Sequence, residues 1–161
     1  MAAGPQIDDL IATLERSVES GLTYFQGPGS QSNVKIGHLG PREVLCQLVW
    51  WLQVTAEGME SVAKGGAPYR IDASVDHMNA RAVGRLAGRD LNQPTTYGVS
   101  LVDLARQWQA RLVQVARTIP DPNTIILVMG DGSGRSVQQR LETIAHHWNE
   151  HVTELQALSA A

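Results

Sequence analysis

Cysteine is nearly missing: Cys46 stands alone among 161 residues, so no internal disulfide can form and a reducing compartment is expected. An excess of positive charge is missing as well. Thirteen Lys and Arg are scattered among sixteen Asp and Glu, for a net charge of -3. That balance offers no basic face to DNA or RNA. No apolar run comes near the roughly 20 residues needed to cross a bilayer, so no membrane partner is expected. Met1 to Pro5 have neither a basic flank nor an apolar stretch, and no secretion signal is read there. Repeats, low-complexity tracts and domain linkers are also lacking. The expectation is one cytoplasmic domain over 1–161, long enough for a single full core.

What is present is helical periodicity. Ile7, Leu10, Ile11, Leu14, Val18 and Leu22 form one stripe, which ends before the breaker cluster Gly27-Pro28-Gly29-Ser30. A second stripe follows Pro41, through Val44, Leu45, Leu48, Leu52, Thr55 and Met59, and stops at Gly65-Gly66. Ser74 caps a shorter helix that Gly88 closes. Ser100-x-x-Asp103 opens a third long helix with Leu101, Leu104, Ala105, Trp108, Leu112 and Val115 inward. Ser136-x-x-Gln139 is a capping box before the last, whose inner face holds Val137, Leu141, Ile144, Ala145, Trp148, Val152 and Leu155. The pattern predicts long helices near 6–24, 41–63, 100–117 and 136–158, with a short one near 75–87. Between them, the β-branched run from Thr124 to Met129 reads as a strand or extended segment, or as a small hairpin turning at Gly130 to Gly134. The fold class is therefore all-α, a four-helix bundle with one short extra helix and a short extended segment before the last helix. Up-down-up-down and up-down-down-up orders are both compatible with the connections.

The residues with the most chemistry are His147 and His151. Four apart, they share a helix face one turn from each other. At about 100° per residue, His151 lies roughly 60° and His147 roughly 100° from the centre of the core stripe. Such a pair can grip a divalent metal with two imidazoles. The plainer alternative is two half-exposed histidines near a helix end. His146 points outward, as does Glu150, and His38 and His77 have no spacing partner. Cys46 is turned away from the stripe of its helix and reads as a packed thiol rather than a ligand. Trp51 is placed on a pocket wall, whereas Trp50, Trp108 and Trp148 read as core or interface. Asp76 and Asn79 either reach the mouth of the bundle or serve the helix start and a structural hydrogen bond. Gly130 to Gly134 lacks the Lys-Ser/Thr of a phosphate loop and reads as a turn.

Four stretches, in order, resemble the DinB-like family of four-helix bundles, which includes the N-terminal domain of mycothiol-dependent maleylpyruvate isomerase. They are Pro41-Arg42-Glu43-Val44-Leu45-Cys46-Gln47-Leu48-Val49-Trp50-Trp51, Val75-Asp76-His77-Met78-Asn79-Ala80-Arg81, Gly130-Asp131-Gly132-Ser133-Gly134-Arg135-Ser136-Val137, and the last-helix segment Ile144 to His151. The resemblance implies a divalent metal, zinc or nickel, held by one histidine of the second helix and two of the last. The last two match His147 and His151. The first matches Gln47, a weaker neutral ligand, so the implied site is weak, degenerate or lost. The implied activity is metal-assisted transferase or isomerase chemistry on a low-molecular-weight thiol. The alternative keeps the bundle, drops the metal and holds a small-molecule ligand between helices. Four tryptophans against one phenylalanine also suggest a homodimer formed through helix faces.

Overall fold

The structure, a computed structural model, describes Pro5–Ala160; the stretch read above for a secretion signal lies mostly outside these residues. Five helices carry the chain: α1 (Pro5–Gln26), α2 (Pro41–Ala63), α3 (Val75–Arg85), α4 (Leu101–Ala116) and α5 (Val137–Ala160). Three short strands join them: β1 (Tyr69–Arg70), β2 (Ile125–Val128) and β3 (Gly134–Ser136).

The helix ends follow from local chemistry. Ser74 accepts from the His77 N–H, and Ser100 accepts from the Asp103 N–H. Before α5 the capping box closes in both directions. The Ser136 N–H donates to Gln139 Oε1 at 2.9 Å, and the Gln139 N–H donates to Ser136 Oγ at 3.1 Å. At the end of α2 the Gly66 N–H reaches the Ser61 carbonyl and the Gly65 N–H reaches that of Val62. This double closure needs a left-handed residue, which Gly65 supplies at φ 85°.

Helix α2 is the centre of the molecule. It packs on α4, α5, α3 and the sheet, while α1 packs on α5 and α4. Its buried set therefore goes beyond the expected stripe to include Cys46, Val49, Trp50, Val54 and Ala56. The other stripes face inward as read, with Leu10, Leu104, Trp108 and Val115 only partly covered. Each Leu or Ile removed from water contributes about 1.5–3 kcal/mol, so these stripes dominate the stability. Trp50, Trp51 and Trp148 lie in the core, and Trp108 is half-buried with the Arg111 guanidinium 4.2 Å over its ring. The tryptophan content thus has a place within one chain and no longer argues for pairing.

The extended segment is a true hairpin. β2 runs antiparallel to β3, and β1, which the sequence reading did not anticipate, adds in parallel on the other side of β2. The hairpin turn is held by Asp131 Oδ1, which accepts from the Ser133 N–H at 2.9 Å and the Ser133 hydroxyl at 2.6 Å. Two glycines set how closely the layers approach. A Cβ on Gly58 of α2 would collide with the Ile126 carbonyl, and one on Gly21 of α1 would lie 2.6 Å from Trp148 Cε3. Trp148 is thereby seated against α1, which fixes the rotation of α5 and turns its neighbouring histidines toward α2.

Candidate functional site

Two facing stripes build the site. From α2 come Gln47, Trp51 and Thr55, each one turn after the last. From α5 come Arg140, Thr143, His147 and His151, at helical spacings of three and four. Between them lies a cavity of about 260 Å³, in whose wall stand Gln47 and Trp51 with His147 and His151. Helix α3 closes one side with Val75 and Asn79, and the hairpin closes another with Met129 and Arg135. The structure thus brings Gln47, Trp51, Asn79, His147 and His151 to one place. Asp76 is not among them: it is exposed and lines an adjoining depression with His38, Gln47 and Asn79.

Trp51 Nε1–H donates to Asn79 Oδ1 at 2.7 Å. This bond ties α3 to α2 and, by occupying the amide oxygen, leaves the Asn79 amide nitrogen as a donor. Asn79 therefore serves both roles between which the sequence left it. The His147 and His151 rings have centroids 6.0 Å apart and planes tilted by 39°. Burial, then the Arg140 guanidinium and His151, push the His147 imidazole below its ordinary pKa, against a smaller opposing effect of Glu150. Near neutral pH it is uncharged. His151 Nδ1 is buried without a hydrogen bond, although Glu154 Oε1 is 3.4 Å away outside bonding geometry. Glu150 is turned outward onto His146, 2.9 Å from its Nε2.

Sequence reasoning missed Arg140. It is 4% exposed. Its Nε–H donates to Thr55 Oγ1 at 3.2 Å, its Nη2 has no partner, and the Trp51 ring centroid is 5.2 Å from its Cζ. None of the ion pairs among the described residues includes it. Burial and then Arg135 push its pKa down to about 10, so it stays cationic at neutral pH. The signal was its position seven residues before His147, two turns away on the same face.

These residues do not fit a firm divalent-metal centre. The donors are two imidazoles and an amide, and a fixed guanidinium shares the cavity. No Asp or Glu lines it to offset a dication. Among the described residues no group of three or more His, Cys, Asp or Glu is placed to share one ion. Cys46 is buried, with Arg42 Nη1 4.0 Å from its sulfur; burial pushes its thiol up to about 11, so it stays a packed thiol. A wider, more open depression of about 540 Å³ adjoins the cavity across Val75, Met129 and Arg135, and contains Asp131 but no histidine. No helix among the described residues is long and apolar enough to cross a membrane. No family model, no curated protein and no solved structure matches this chain.

Proposed function

We propose that this protein is a small-molecule-binding helical bundle, with its ligand held between α2 and α5. The observation that carries this reading is the cavity. Leu48, Val75 and Met129 provide apolar wall, while Gln47, Asn79 and Arg140 bring polar groups to the same space. Apolar lining with a few convergent polar groups is the usual character of a ligand pocket. About 260 Å³ suits a compact molecule of one ring or a short chain.

The resemblance to DinB-like bundles supplies a second reading, a weak zinc or nickel site for thiol-dependent transfer or isomerisation. The specific observation in its favour is the histidine pair, 6.0 Å apart and lining the cavity. The unpaired cation of Arg140 ranks it below the binding reading. Association into a homodimer is a matter for measurement, since the tryptophans are accounted for within one chain. Sedimentation at tens of micromolar separates a dimer from a monomer of 17.5 kDa.

Nuclear magnetic resonance tests the binding reading directly. The Trp51 indole N–H faces Asn79 at the cavity wall and is assigned by loss of its resonance in Trp51→Phe. A fragment library of mixed charge should contain members that shift this resonance and leave that of Trp108 in place. A library that leaves Trp51 unmoved at millimolar concentration overturns the reading.

A further inference from the structure

We propose that the cavity is a binding site for a small organic carboxylate, with Arg140 as its anchor. The inference rests on the binding reading above and names the chemical class of the ligand.

The first argument is charge. A guanidinium removed from water is normally matched by a carboxylate or phosphate, because burial strips it of hydration without replacing it. Arg140 is 96% buried, the complement of its 4% exposure, and has one neutral partner in Thr55. Its Nη2 is without a partner. The Trp51 face offers partial compensation at 5.2 Å, which does not replace a counterion. The described residues supply none: the cavity wall contains Arg135 as a second cation and no Asp or Glu, and Arg140 is in no ion pair among them. The acids nearest the histidines, Glu150 and Glu154, sit against His146 and His151. An anion entering the cavity would supply the missing charge.

The second argument is the donor set. Gln47 and Asn79 bring amides, Thr143 brings a hydroxyl, and His147 offers a neutral imidazole. All can donate to an oxyanion. A guanidinium presents paired N–H groups that match the two oxygens of a carboxylate.

The third argument separates carboxylate from phosphate. Many phosphate sites add free backbone N–H groups at a helix start to their cationic side chains. At the start of α5 these N–H groups are already engaged: Val137 N–H with Thr124 O, Gln138 N–H with Pro122 O, and Gln139 N–H with Ser136 Oγ. Arg135 is engaged through one nitrogen, its Nη1 donating to Ser133 Oγ at 3.0 Å and Gly134 O at 3.1 Å. The apolar walls favour an organic body attached to the charged group.

The test compares benzoate, neutral benzamide and inorganic phosphate, read by calorimetry and by the Trp51 indole resonance. Benzoate should bind wild-type protein at least about tenfold more tightly than benzamide, as loss of a charge-assisted hydrogen bond would require. Phosphate should bind more weakly than benzoate. Arg140→Met should abolish the preference for benzoate over benzamide while retaining a folded spectrum, and Arg140→Gln gives the same comparison with a polar side chain. Equal binding of benzoate and benzamide, or a benzoate preference that survives both substitutions, overturns this proposal and leaves the binding reading standing. Phosphate binding more tightly than benzoate overturns the carboxylate assignment. Failure of the whole mixed-charge library, benzoate and benzamide included, to move Trp51 overturns both.

Discussion

Arg140 Nε donates to Thr55 Oγ1 at 3.2 Å, and both residues are buried. A helix threonine and a helix arginine 85 positions apart are thus joined at the side of the cavity. The bond holds the guanidinium against α2 and uses only one of its donors. Thr55→Val removes the acceptor and leaves a buried N–H unpaired. It should lower the unfolding free energy by about 1–3 kcal/mol in wild-type protein. In an Arg140→Met background the same change should cost less than about 0.5 kcal/mol, because contacting residues couple and the partner is gone. Urea unfolding of the four proteins checks this. Equal losses in both backgrounds would show that the bond contributes nothing.

Gln47 shares the cavity with His147 and His151, so Gln47→His would place three imidazoles there. Zinc or nickel affinity should rise by about tenfold to a thousandfold, or roughly 1.4 to 4 kcal/mol. Titration of wild type, Gln47→His and the double variant Gln47→His/His151→Ala with the same metal is the measurement. No gain in Gln47→His would mean that the three side chains cannot share an ion.

His147 gives the site a pH dependence of known sign. Burial and the neighbouring Arg140 lower its folded-state pKa. The unfolded chain therefore takes up a proton at a higher pH than the folded one. The stability is complete above the unfolded value of about 6.5 and falls as pH drops through the folded value. Between about pH 7.5 and about pH 5, wild type should lose more stability than His147→Gln. Parallel urea midpoints for the two proteins over that range would contradict this.

Gly58 lets the sheet rest directly on α2. Since a Cβ there would meet the Ile126 carbonyl, Gly58→Ala should destabilise by about 1–3 kcal/mol despite the better helix propensity of alanine. Alanine at exposed Gly84, where a Cβ meets open space within α3, should instead be neutral or stabilising. Thermal unfolding of the two variants distinguishes them.

The long helices were legible because each carries an apolar stripe at helical spacing, even α2, whose burial extends beyond it, and the helix starts because Ser74, Ser100 and Ser136 bond three residues ahead. The histidine pair was legible for the same reason: its spacing is local. Strand β1 was not. It is two residues long, and its pairing with Leu127 and Val128 depends on the tertiary fold. Arg140 was hidden for a related reason. Flanking a core stripe, it reads as a solvated arginine, and only the packing of α2, α3 and the hairpin against α5 removes it from water. Asp76 takes the other of its two readings, an acid in the first turn of α3. Its helix begins beside the cavity, but its side chain is exposed.

Strand β3 ends at Ser136 and helix α5 begins at Val137, with no loop between them. The reciprocal cap bonds lock this junction, so the hairpin and α5 form a single lever. Met129 and Arg135 at one end are thus tied through this junction to Arg140 and His147 at the other. Helix α3 is the lightly anchored wall: Met78 and Ala82 are its buried residues, and the Trp51–Asn79 bond is its polar tether at the cavity. Breathing of the cavity is thus cheapest as a swing of α3 against a rigid frame. Its amide protons should exchange with solvent before those of α5.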